Sequence, residues 1–258
     1  MRKALCAGLL AACSGFAAPA FADTKNDGWD VTLVPYVWTA SVDGTVAHPA
    51  LSTPISAQAN FGDVLERLDI GGMVALEARK GRVGIIAEVL HISMSDTASM
   101  PLLGLPVGLS TRTTGGFLAG EVRVVDTDAL SIDTIAGLRY WSVSTRVRYA
   151  IPGAIPLPPG IPLPRAYDGR KGADWVDAMS GLKASASFGS GIHATATGMI
   201  GFGGSDFVTD FSALVGIDVS RRTNLVVGYR HLDIDYSKRG FTFNARIHGP
   251  LIGMGVRF

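Results

Sequence analysis

Little in this chain of 258 residues invites water. Charged residues make up 17% of it, where soluble domains carry about 25%. Lys+Arg 23 nearly balance Asp+Glu 22, which excludes steering of a partner by bulk charge. The basic residues form no stripe of the kind that nucleic acid needs. Cysteine is confined to Cys6 and Cys13, so thiol and disulfide chemistry is missing from everything downstream. Long helical apolar runs are missing too. Tyr149 to Pro164 is uncharged, but Pro152, Pro156, Pro158, Pro159, Pro162 and Pro164 forbid a helix there. Ala184 to Ser205 is also uncharged, yet its polar residues alternate and glycine recurs, which suits a strand. No G-x-G-x-x-G, P-loop, G-x-S-x-G or H-E-x-x-H stands anywhere. The histidines His48, His91, His193, His231 and His248 lack ligand spacing. No cofactor, no metal and no catalytic set is therefore expected.

The first 22 residues read as an export signal. Arg2 and Lys3 form a basic start, Ala4 to Pro19 is apolar and small, and Ala20-Phe21-Ala22 is a cleavage motif before Asp23. The organisation expected is a cleaved signal peptide, 1–22, and one domain, 23–258. Leu10-Ala11-Ala12-Cys13 also resembles a lipobox, which leaves a lipidated Cys13 open as an alternative.

From Trp29 onward the period-2 alternation of strands recurs almost without pause. Trp29 to Ala40 is the first strand. Ile70 to Arg79 and Arg82 to Ser93 form a hairpin, with a two-residue turn at Lys80-Gly81 pairing Leu76 with Ile85. Gly116 to Val125 pairs with Leu130 to Ser144, Ala173 to Ala184 with Gly191 to Gly203, and Phe207 to Val219 with Asn224 to Tyr236. Phe241 to Phe258 is the last strand. Turns at 80–81, 126–129, 185–190 and 220–223 are short. The connections 41–69, 94–114 and 145–172 are long, although 204–206 and 237–240 break that series. Short turns at one end and long loops at the other are the outer-membrane barrel pattern. The fold class expected is all-β, an antiparallel transmembrane β-barrel of about ten strands. A further β segment within 45–59 leaves eight or twelve open, and Phe61 to Leu68 is the one helical stretch.

Alternation assigns the faces. Leu76, Ile85, Val122, Leu138, Phe211, Val215 and Leu225 belong to the lipid side. Glu77, Glu88, Glu121, Arg123, Asp133, Arg139, Asp177, Lys183 and Arg230 belong to the lumen. Charges there are costly unless paired or wetted. They form either a bracing network that fills the tube or a charged constriction that selects ions. Trp29, Tyr36, Trp38, Tyr140, Trp141, Trp175, Tyr229 and Tyr236 fall toward strand ends, where aromatic girdles are expected, although Tyr36, Trp38 and Trp141 share the lumen face. Arg146, Arg148, Arg165, Arg170 and Lys171 surround the proline-rich loop and suit phosphates of lipopolysaccharide. In the last strand Ile252, Met254, Val256 and Phe258 share the lipid face. Phe241, Phe243 and Ile247 carry the apolar parity before them, so a bulge is expected at Gly249-Pro250.

Three stretches carry a resemblance. Trp29, Pro35-Tyr36-Val37-Trp38 with Asp43-Gly44-Thr45, then Leu76 to Gly81, then Gly228 to Asp233 are similar to small outer-membrane β-barrel proteins of Gram-negative bacteria. The terminal Phe258 with Ile252, Met254 and Val256 resembles their assembly signal. The resemblance implies an outer-membrane location, contact with outer-membrane lipids and lipopolysaccharide, and recognition by the barrel-assembly machinery, but no activity. The function expected is structural or that of a narrow, porin-like pore, without catalysis. One enzymatic alternative rests on His91-Ile92-Ser93, which looks like the H-x-S element of outer-membrane lipid A deacylases. A fainter echo of omptin-like proteases lies in His231 with Asp233 and Asp235.

Overall fold

The computed structural model describes residues 28–47, 55–59, 61–99, 104–155, 164–238 and 241–258. The proposed signal peptide, with Cys13, lies outside the described residues. Twelve strands and one short helix follow in order. They are β1 (Asp30–Trp38), β2 (Ser41–Ala47), β3 (Ile55–Ala59), α1 (Phe61–Glu66), β4 (Leu68–Lys80), β5 (Val83–Ser99), β6 (Pro106–Asp126), β7 (Leu130–Ala150), β8 (Ala166–Ser187), β9 (Ile192–Gly203), β10 (Phe207–Asp218), β11 (Thr223–Lys238) and β12 (Phe241–Arg257). Neighbours in sequence pair antiparallel from β4 to β12. Strand β1 joins β4 on one edge and β12 on the other, so ten strands close a barrel. Closure removes the free edges that a bilayer cannot solvate.

The two extra strands extend the wall. Strand β12 pairs with β1 from Arg257 to Leu251 and then with β2 from His248 to Thr242. One register serves both, because Thr32↔Arg257 and Ala47↔Thr242 lie on the same ladder. Strands β1 and β2 are thus one path along β12, interrupted opposite Pro250, which has no N–H to give. The Thr39 N–H still donates to the Pro250 carbonyl at 2.8 Å. The expected bulge at Gly249-Pro250 is absent. Phe243, Ile247 and Leu251 are all buried on one side of an unbroken strand. What changes there is the environment outside the wall, from lipid to water, and not the parity.

Two more expectations are corrected. The first hairpin turns on Gly81-Arg82, with Lys80↔Val83 and Leu76↔Ala87. Gly81 takes φ +56 at the first central position, where a II′-type turn wants glycine. The displacement is by two positions in the pairing, so every side chain keeps its face. Strands take up most of the supposed long loop 94–114 and both ends of 145–172. β5 runs to Ser99, β7 to Ala150, and β8 starts at Ala166.

Outside, β7 is apolar from Leu130 to Tyr140 except for Thr134, whose hydroxyl donates to the Val122 carbonyl, about the 9–11 residues that a tilted strand needs to cross a bilayer. Ser142, Ser144, Arg146 and Arg148 then continue the same face. On β6 the apolar face ends at Leu118, and on β8 at Val176. The wall therefore crosses a membrane with its lower half and stands in water with its upper half. β9 and β10, at 12 residues each, have little of that upper extension.

Candidate functional site

The lumen is filled in three layers. At the short-turn end Glu77, Arg79, Glu121, Arg123, Asp133 and Lys183 converge from β4, β6, β7 and β8. Arg79 Nη2 bonds both Glu121 and Asp133, the latter at 3.0 Å. Arg123 Nε meets Asp133 Oδ1 at 3.0 Å and also reaches Asp126 at the rim. Lys183 Nζ lies 3.2 Å from Glu77 Oε2 and 3.5 Å from Asp133, and also holds Glu121. Three carboxylates thus face three cations.

The second layer lies deeper. Arg230 clamps Asp210 through Nη2 at 2.7 Å and Nε at 3.1 Å, and reaches Glu88 with Nη1 at 3.3 Å. Arg139 Nη1 lies 2.8 Å from Asp210 Oδ2. The Tyr36 hydroxyl donates to Glu88. Arg139 and Arg230 are both 0% exposed; Arg230 is hydrogen-bonded to Asp210 and Glu88, whereas Arg139 meets Asp210 as a charge contact without a hydrogen bond from Nε, Nη1 or Nη2 among the described residues. Removing such charges from water costs several kcal/mol each, which only close pairing offsets. Two carboxylates against two guanidiniums make this layer neutral as a unit.

The third layer is an apolar plug. Trp175 stacks on Tyr236 at 4.4 Å and tilts against Phe243 at 5.7 Å. Trp38, Leu90, Ile92, Trp141, Ile234 and Ile247 complete it. The charged layer and the plug touch: the Arg230 guanidinium lies 5.1 Å from the Trp38 ring, and that of Arg139 lies 5.2 Å from Phe117. A desolvated cation over an aromatic face gains up to about 2 kcal/mol. Above the lipid the barrel has the ordinary arrangement of a protein in water, apolar inside and polar outside.

The structure places Glu77, Glu88, Glu121, Arg123, Asp133, Arg139, Asp177, Lys183 and Arg230 inside the barrel. Asp177 departs from the network. Its carboxylate accepts from the Ser205 N–H at 2.6 Å, the Ser205 hydroxyl at 2.9 Å and Trp175 Nε1 at 3.1 Å. It pins the β9–β10 turn and has hydrogen-bond donors where the others have cations. Asp210, Arg79 and Tyr36 were not among the lumen charges or their expected ligands. Asp210 was legible from its alternation with Phe211, Val215 and Ile217, but it sits next to a Gly-Ser-Asp cluster that reads as turn. Of the expected girdle aromatics, Trp29, Tyr140 and Tyr229 face out, whereas Tyr36, Trp38, Trp141, Trp175 and Tyr236 are buried inside. Five of the eight belong to the layers above, because beyond the lipid the interior is the dry side. Ile252 and Met254 face lipid, and the Phe258 N–H closes onto the Val31 carbonyl at 3.0 Å.

Among the described residues His91 and Ser93 have no carboxylate in hydrogen-bond reach. His91 Nδ1 lies 2.9 Å from Thr114 Oγ1 on the next strand, and Ser93 is two residues along the same face. Asp96 pairs with Arg67 at 2.9 Å, and Glu88 is held inside by Arg230. A nucleophile needs a base and an orienting acid in hydrogen-bond reach, and these residues are committed elsewhere. His231 stacks on His248 at 5.9 Å, and Asp233 pairs with Arg246 at 3.3 Å. Among the described residues no group of histidines and carboxylates has metal-holding geometry.

No family model matches the chain, and no curated protein is similar to it. Solved structures are similar in fold. Ail, the attachment invasion locus protein of Yersinia pestis, in complex with the heparin analogue sucrose octasulfate, is 8% identical over 90% of this chain and 100% of that one, with a TM-score of 0.38. The translocator domain of the autotransporter NalP from Neisseria meningitidis is 12% identical over 91% and 90%, TM-score 0.42. The toluene transporter TodX of P. putida is 11% identical over 90% and 90%, TM-score 0.31. These are outer-membrane β-barrels of Gram-negative bacteria. Their binding and transport do not transfer at such identities.

Proposed function

We propose that this chain is a sealed, non-enzymatic outer-membrane barrel, a scaffold that anchors an extracellular wall in the lipid and does not conduct. The observation that carries this reading is the second lumen layer. Arg139, Arg230, Glu88 and Asp210 meet across the tube at the level of the lipid belt, with 0–1% exposure. A conducting path needs a continuous wetted channel at that height, and four side chains of 0–1% exposure stand across it. The plug of Trp38, Trp141 and Trp175 closes the extracellular end. Ten strands make a barrel little wider than the eight-stranded kind that its own side chains fill. The outer surface supports an outer-membrane location, because closed strand walls are the spanning solution of that membrane.

Planar-bilayer recording tests it. Pure wild-type protein is expected to give a flat baseline. The double variant Arg139→Ala/Arg230→Ala, which opens the second layer alone, is expected to stay flat as well, because the aromatic plug and the short-turn charge layer still close the tube. Regular openings of the wild type, altered by Glu88→Gln or Arg139→Gln, would establish the pore reading instead.

A further inference from the structure

Above the lipid the wall is not closed all the way round. Strand β8 pairs with β9 only as far as Asp177↔Gly203. Its upper part, Ala166 to Asp174, has β7 on one side and no strand on the other among the described residues. The alternation of the ladder decides where its backbone points. The Arg165 carbonyl faces β7, where it accepts from the Ile151 N–H at 2.6 Å, and the Val176 carbonyl faces β9, where it accepts from the Gly204 N–H at 2.8 Å. Odd positions therefore serve β7. The N–H and C=O groups of Ala166, Asp168, Arg170, Gly172 and Asp174 all point to the open side, and none has a backbone partner there among the described residues. The run is about 30 Å long at 3.4 Å per residue, and these residues are exposed.

The other upper edges are guarded. On β5 the Ser95 N–H donates to the Arg67 carbonyl at 3.0 Å, and Arg67 pairs with Asp96 at 2.9 Å, so the link from α1 to β4 covers that side. The edge strand β3 is short, Ile55–Ala59, and shortness is one way to prevent unwanted pairing. The tip between β9 and β10 is tied down by Asp177 on Ser205 and by Lys238 on the Gly203 carbonyl. The β8 edge has no such cover among the described residues, and its charges are uneven. Asp168 is taken by Arg146 and Arg148, and Asp174 accepts from the Tyr140 hydroxyl at 3.1 Å. Arg170 and Lys171 stand together in the middle of the run, on opposite faces. Both are exposed and have no ion-pair partner among the described residues.

We propose that the upper edge of β8 is a docking site for an extended acidic segment of another protein, which adds a strand there by backbone pairing and sets carboxylates against Arg170 and Lys171. A segment that joins a sheet edge takes its affinity from main-chain hydrogen bonds and its specificity from alternate side chains. Opposite charges across a strand pair favour pairing, and like charges oppose it. A second copy offering this same edge would bring a basic pair against a basic pair, so the charge favours an acidic partner over self-association. The site rests on the reading of the barrel as an anchor for a wall above the membrane, but not on the lumen being sealed.

The test is fluorescence anisotropy of a dye-labelled, capped peptide titrated with the full barrel in zwitterionic detergent micelles. The probe alternates Thr and Val and carries two adjacent Glu at its centre. One control replaces the Glu pair by Lys. The other keeps the Glu pair but is N-methylated along both edges, which removes its backbone donors. Wild type is expected to bind the probe about tenfold or more tightly than either control. Arg170→Gln/Lys171→Gln is expected to lose the preference for Glu over Lys, and Arg246→Gln, on the opposite wall, to keep it. Arg170→Pro removes an N–H that faces the open side and so costs no bond to β7. It is expected to abolish binding while heat-modifiable mobility is unchanged. Equal binding of the N-methylated probe, no preference for Glu over Lys in the wild type, a preference retained by the double Gln variant, or binding retained by a folded Arg170→Pro barrel overturns the proposal. Self-association of the wild type in analytical ultracentrifugation that Arg170→Pro removes overturns it too, because the occupant is then a second copy. Planar-bilayer recording reads the lumen separately, so a flat trace with no probe binding refutes this site alone.

Discussion

Arg230 shows what a lumen charge costs when its partners change. Its guanidinium satisfies Asp210 and Glu88 and lies over Trp38. Truncation to Met leaves two buried carboxylates with Arg139 as their one nearby cation. Breaking a buried pair from one side costs about 3–5 kcal/mol. Arg230→Met is therefore expected to lower the denaturant midpoint of the heat-modifiable band steeply, whereas Arg246→Gln on the exposed wall is expected to leave it within error. Gly181 is a different kind of constraint. A Cβ there would stand 2.1 Å from the Gly198 carbonyl oxygen, which is backbone and cannot swing aside. Overpacking of that kind costs about 1–3 kcal/mol, so Gly181→Ala is expected to destabilise the barrel in the same assay. The alternation of apolar and charged residues made Glu88 and Arg230 legible as lumen residues. Which acid meets which base was not legible, because it depends on side chains from strands far apart in the chain.

At the scale of elements, β7 shows how two environments are written along one strand. Its inward residues run from Asp133 through Arg139 to Trp141, Val143 and Val147, and its outward ones from Leu138 to Arg146. Period-2 reading found the strand but stopped it at Ser144, because polar outward residues look like a loop when lipid is assumed outside. The same assumption turned Phe243 and Ile247 into lipid-facing residues and required a bulge that does not exist. The upper β7–β8 hairpin also carries a pH dependence. The Arg146 guanidinium beside Asp168 holds its carboxyl below the usual carboxylate range. A lowered value in the folded state means stabilisation that is complete above the ordinary aspartate value, about 3.9, and lost as pH falls through the folded one. Hydrogen exchange of the 146–150 amides, corrected for intrinsic rate, is expected to be slow at pH 7 and faster at pH 2.5. Asp168→Asn is expected to be fast at both.

For the whole molecule, the ten-strand closure was legible from alternation and turn spacing, as was the side of most lumen charges, Asp210 and Arg79 excepted. The layering of the interior was not, because no local pattern says that the wall outlasts the bilayer. That extra height makes the lumen a stack of charge, charge and aromatic plug, and it sets the expectation of a flat bilayer trace. It also predicts selective loss. Trp175→Ala, which removes the ring between Tyr236 and Phe243, is expected to expose the upper half to protease while the membrane-embedded half stays intact on gels.

The single ladder that joins β12 to β1 and then to β2 makes the seam a reading frame. Substitutions on its outer face, such as Asn244→Ser, change one contact. Deletion of one residue at Gly249 shifts everything before it by one place against β11 and β2. Period 2 then turns Asn244, Arg246 and His248 into the plug and Phe243 and Ile247 out to water. The seam is expected to tolerate exchanges of residue and to reject odd insertions or deletions. Paired deletions on β12 and its two neighbours would be needed to restore the frame, which makes the length of this closure far harder to change than its composition.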